Sequence, residues 1–208
     1  MAHGRSRPVS LIFLRSIANV RGGRLPTTFE QRNKIVSQTT LQRRQLDFKS
    51  WPEALAEIDR LHRAHYDRAG NWDLSQTLDH VGEGLRTALR GTDHRAAWII
   101  RKFLGPLVLQ RLLRQRRMKA GIKVPQWWLP GPSHDESAAV DQFRAEVSAF
   151  QEMTTAPFPH PFFGPLTKQQ WNDLALIHAA HHLSFLIPRD SEVAGAYFRN
   201  NRVNCQRR

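Results

Sequence analysis

Thr167-Lys-Gln-Gln170-Trp171-Asn-Asp-Leu174-Ala-Leu-Ile177-His178-Ala-Ala-His181-His182 decides the fold. Thr167 and Gln170 have the spacing of a capping box, in which two side chains satisfy backbone N–H groups that the first helical turn leaves unpaired. Trp171, Leu174, Ile177 and Phe185 then recur at helical spacing, with His178 in the same stripe. The pattern predicts a helix from Lys168 to about Ile187, stopped by Pro188. His178 and His182 are four residues apart, one turn along one face. At that separation two imidazoles reach one metal ion, each at roughly 2.0–2.1 Å. A buried hydrogen bond, or an ordinary surface or capping pair, satisfies the same spacing, so the residues alone leave these readings side by side.

The same punctuation recurs upstream at Ser50-x-x-Glu53, Asp73-x-x-Gln76 and Ser133-x-x-Glu136. Leu55, Ile58 and Leu61 follow the first at helical spacing. Leu74, Leu78, Val81, Leu85 and Leu89 follow the second; Val140, Phe143, Val147 and Phe150 follow the third. Arg95–Arg117 is helical in period but interrupted at Gly105-Pro106, where the proline removes a backbone donor and predicts a kink or two shorter helices. No segment shows strand alternation. The expected architecture is all-α: a four-helix bundle with an additional kinked crossover helix.

Composition bounds the rest. Six Trp, eleven Phe and 40% apolar residues argue for a packed core. The single cysteine, Cys205, excludes an internal disulfide and a thiolate cluster, and is compatible with a cytoplasmic location. No apolar run reaches the roughly 20 residues of a membrane span. The net charge of +13 is uneven: residues 1–44 carry +8, with Glu30 their one acid. This segment reads as a disordered basic extension, though a transit peptide or a mis-assigned start fits the same residues. Residues 45–188 read as the helical domain and 189–208 as a basic tail. Arg101 to Lys123 adds eight Lys/Arg and no acid. Such clusters raise nucleic acid or an anionic surface as partners. A solvated face is the plainer reading, because the arm lacks interleaved aromatics and no nucleic-acid-binding motif is present.

A metal site in a bundle draws on facing helices, so the His178/His182 pair needs a ligand from elsewhere. His80 is the best candidate, mid-helix beside Leu78 and Val81. Gln76 and Gly84 lie one turn to either side on its face. Gln76 either bonds a water at the site or serves the capping box. Gly84 leaves open space there or permits close helix packing. His181 orients a ligand or faces solvent. His160 acts in a turn or in the site, and Trp127-Trp128 forms a lid or covers the bundle end. No Ser/His/Asp triad, phosphate-binding glycine loop or carboxylate pair is present.

Trp72-x-Leu74-x-Gln76-x-x-x-His80, followed much later by His178-x-x-His181-His182, resembles the DinB/YfiT-like metalloenzyme superfamily. The similarity is to the branch called domain of unknown function 1569. Arg44-Gln45-Leu46-Asp47-Phe48, Gly70-Asn71-Trp72 and His160-Pro161-Phe162-Phe163-Gly164-Pro165-Leu166-Thr167 match it too, over roughly Gln42 to Pro188. The resemblance implies a four-helix bundle with His80, His178 and His182 as ligands of one divalent metal ion. Three imidazoles leave coordination positions for water or substrate, and suit zinc, nickel or iron. Relatives in the superfamily include thiol-dependent transferases and suspected hydrolases. Hydrolysis or thiol-group transfer on a small substrate is therefore the expected chemistry, with the substrate and enzyme status open. The alternative is a non-catalytic protein binding nucleic acid or anionic partners through its basic surface. Homodimerisation is neither supported nor excluded.

Overall fold

The computed structural model describes residues 41–121 and 126–189. The extension read over 1–44 therefore lies outside the described residues up to position 40, and the tail lies outside from position 190. The described chain is mostly helical. It comprises α1 (Trp51–Ala64), α2 (Leu74–Arg90), α3 (Gly105–Gln115), α4 (Glu136–Glu152) and α5 (Lys168–Leu183). A π-helical turn (Ile100–Leu104), a 3-10 turn (Gln126–Trp128) and two short strands, β1 (Tyr66–Arg68) and β2 (Leu186–Pro188), complete it.

Two of the four capping boxes form. Asp73 Oδ1 accepts the Gln76 N–H at 2.9 Å while Gln76 Oε1 accepts the Asp73 N–H at 3.3 Å. Thr167 and Gln170 reciprocate in the same way. The other two need correcting. Ser50 makes no side-chain cap, and Glu53 instead accepts the Lys49 N–H at 2.8 Å. At α4 the cap is Asp135, which accepts from Ser137 and Ala138. Glu136 is drawn off to the Tyr66 hydroxyl.

α1 packs on α4 and α5, α2 packs on α4 and α5, and α3 lies on α5. Ile58, Leu61, Leu74, Leu85, Phe143 and Trp171 are buried in one shared core. Each such side chain contributes about 1.5–3 kcal/mol through burial. Trp51 and Phe143 meet edge-on there, 6.2 Å between centroids.

Three further expectations are refined or revised by the structure. The interruption expected near Gly105-Pro106 takes the form of a π turn leading straight into α3: the Gly105 N–H reaches back to the Ile100 carbonyl. The wider turn accommodates the proline, which brings no N–H of its own. The histidine helix ends at Leu183, before Ile187. The residues beyond it form β2, antiparallel to β1 with Asp67 opposite Ile187. Strands this short carry no readable alternation. Arg43 and Arg44, read as part of the extension, contact the domain: the Arg44 N–H donates to the Ser184 carbonyl and its guanidinium pairs with Glu57. Among the described residues no helix is long and apolar enough to cross a membrane.

Candidate metal centre

The packing of α2 on α5 sets His80 against His178 and His182. One ring nitrogen from each of the three lies within 4.8 Å of the others. The His178 and His80 Nε2 atoms are 3.1 Å apart. Ring centroids form a triangle of 4.8, 4.5 and 4.7 Å, with each pair steeply inclined. One nitrogen of each ring can therefore approach a common point.

The tautomer of His80 is set by its surroundings. Its Nδ1 lies 2.8 Å from the Trp128 carbonyl oxygen, which only accepts, so Nδ1 carries the proton. Nε2 is left with its lone pair facing the other two histidines, the arrangement by which an outer partner prepares a metal-binding imidazole. His80 is buried, whereas His178 and His182 are half-buried. Burial pushes the imidazole pKa of all three below the ordinary 6.5. Their mutual repulsion if charged pushes His178 and His182 further down. All three are therefore neutral donors at pH 7, the form a metal requires. Trp72 closes one side, stacked on His182 at 5.1 Å and tilted against His80 at 4.7 Å.

The segment that supplies the Trp128 carbonyl is tied to the start of α2. Gln76 Nε2 donates to the Gly131 carbonyl at 3.0 Å, the His134 N–H donates to Ser75 Oγ, and the His134 ring bonds Asp79 at 2.8 Å. Ser75, Gln76, Asp79 and His80 thus form one face of α2 on which the segment lies. Gln76 serves both the capping box and this anchor, and does not join the three histidines. The Trp128 indole N–H is buried without a partner among the described residues.

His181 meets His182 edge-on, 4.7 Å between ring centroids, but is not one of the three whose nitrogens converge. Its Nδ1 accepts from Arg43 at 3.1 Å, and burial lowers its pKa to about 4. It lines a cavity of about 180 Å³ with Arg43, Arg116 and Arg117, which none of the three clustered histidines borders. His160 is buried in a tight turn, its Nδ1 accepting the N–H groups of Phe162 at 3.1 Å and Phe163 at 3.3 Å. Burial holds its pKa at about 3. A Cβ at Gly84 would meet nothing within 4 Å, so close helix packing does not explain that glycine. Trp127 and Trp128 stack with Phe162 as aromatic cover. The residues not singled out from the sequence are Trp72, visible there only as part of a motif, and Trp128 in its role as a main-chain acceptor, which no side-chain pattern reports.

The fold and site define a helical protein with a preformed cluster of three neutral histidines. The chain belongs to the family described as protein of unknown function (DUF1569), whose model matches residues 40–189. No curated protein and no solved structure matches it.

Proposed function

We propose that this chain is a DinB-like four-helix-bundle metalloprotein. Its domain, residues 45–188, would hold one divalent ion (zinc, nickel or iron) on His80, His178 and His182, for hydrolysis or thiol-group transfer on a small substrate. One observation carries the reading: three imidazole nitrogens within 4.8 Å, with the His80 tautomer set by a main-chain carbonyl. The donor set fits such an ion because it is neutral, nitrogen-only and leaves positions open.

The chain's own contributions follow from the same contacts. The Trp128 carbonyl orients His80, Trp72 shields His182 on one side, and the anchored 126–134 segment fixes that carbonyl. An ion bound there supplies Lewis acidity to polarise a substrate group. The catalytic part of the reading rests on the resemblance to thiol-dependent transferases and hydrolases.

Metal content by mass spectrometry tests it, on protein purified without a His-tag. About one tightly held ion per chain is expected, lost in the His80→Ala/His178→Ala/His182→Ala variant. Protein that neither contains nor takes up zinc, nickel or iron would sink the proposal.

A further inference from the structure

We infer that the solvent face of the π turn and α3 docks on an anionic lipid bilayer. Trp98 is 58% exposed, Ile99 65%, Phe103 59%, Leu104 55% and Leu107 67%, within ten consecutive residues. Single exposed apolar residues are ordinary, but a contiguous group marks an interaction surface. Ile100 is three and four residues from Phe103 and Leu104, these are four and three from Leu107, and Arg111 and Arg114 continue that spacing. One face is therefore apolar for two turns and basic in the last.

The opposite face is fixed in place. Gly105 and Leu109 are buried, and a Cβ on Gly105 would lie 2.6 Å from the Phe162 carbonyl oxygen. The Ala96 N–H donates to the Pro161 carbonyl at 3.0 Å. The apolar face thus cannot turn inward without breaking these contacts.

Charge selects the occupant. Arg95, Lys102, Arg111 and Arg114 are exposed around the patch, and the sequence holds no Asp or Glu between Asp93 and Asp135. Lys102 Nζ sits 4.8 Å from the Trp98 ring, a cation beside an amphipathic ring as at a headgroup layer. A second copy would bring two cationic rims together, which like-charge repulsion opposes. Nucleic acid would match the charge but leave the apolar side chains in water. An anionic bilayer takes both: aliphatic and aromatic groups enter the acyl boundary while Lys and Arg meet the headgroups. The helix lies in the interface rather than crossing it.

Co-sedimentation of the full chain with vesicles tests this, comparing phosphatidylcholine–phosphatidylglycerol mixtures with phosphatidylcholine alone. Binding to the mixed vesicles is expected, weakened about tenfold or more by Phe103→Ser/Leu107→Ser and by Arg111→Glu/Arg114→Glu. Both variants should keep the wild-type circular dichroism and Tm, since the altered side chains are exposed. Three results each overturn the inference. The wild type stays in the supernatant, the apolar variant binds like the wild type, or light scattering shows a wild-type dimer that the apolar variant dissolves.

Discussion

His178 Nε2 and His80 Nε2 face each other at 3.1 Å across the α2–α5 packing. Since the His80 proton is committed to the Trp128 carbonyl through Nδ1, the hydrogen in this contact belongs to His178 Nε2. A metal held through that nitrogen would require the His178 proton to sit on Nδ1 instead and would leave the His80 tautomer unchanged. Long-range proton–nitrogen NMR spectra should show His178 switching tautomer on zinc addition while His80 does not. His178→Ala should lose the ion with only a modest fall in helix content, because Leu174, Ile177 and Leu183 still bury α5. Full metal occupancy in that variant would refute the ligand assignment.

Gln76 separates capping from anchoring. Gln76→Ala removes half of the capping box and the bond to the Gly131 carbonyl. A stability loss of about 1 kcal/mol is expected from urea unfolding. A fall of about tenfold in metal affinity is expected from chelator competition, because the Trp128 carbonyl is less firmly held. Gln76→Glu keeps an acceptor for the Asp73 N–H but has no donor for Gly131. It should recover much of the stability and little of the affinity.

His160 makes stability depend on pH. Its folded pKa, about 3, lies below the ordinary 6.5, so the unfolded chain takes up the proton first. Its contribution is complete above about pH 6.5 and declines as pH falls toward about 3, by up to roughly 1.4 kcal/mol per unit. Urea unfolding of His160→Gln across this window should show a shallower slope than wild type. In the wild type the His160 ring should show no NMR titration above about pH 4; a midpoint near 6.5 would contradict the buried, doubly bonded ring.

Asp73 and Ser50, the residues just before α2 and α1, make an internal comparison. Asp73→Ala should cost about 1 kcal/mol, because its carboxylate accepts the Gln76 N–H at 2.9 Å. Ser50→Ala should change the unfolding midpoint little, because Ser50 makes no side-chain cap. Equal losses in the two variants would show that the Ser50 hydroxyl caps α1 in solution.

These contrasts show what the sequence could and could not reveal. The Asp73 and Thr167 caps were legible because both partners sit three residues apart. Ser50 and Ser133 have the same spacing, but a competing neighbour decides each case: Lys49 takes Glu53, and Asp135 takes the α4 cap. The histidines were legible because His178 and His182 share a turn and His80 lies on an apolar stripe. The β1–β2 pairing was not, since it joins three-residue strands whose partners, such as Tyr66 and Pro188, lie far apart in sequence. The His80 acceptor was hidden for a different reason: it is a peptide oxygen, and every residue type has one.

That last property governs how the site can drift. Any amino acid at position 128 offers the same oxygen, so point replacements there leave the His80 partner intact as long as the chain keeps its path. Insertions and deletions are another matter. Adding or removing one residue between Trp128 and Gly131 would pull the carbonyl out of register with the Gln76 anchor. The site is thus tolerant of changes in letters and intolerant of changes in length.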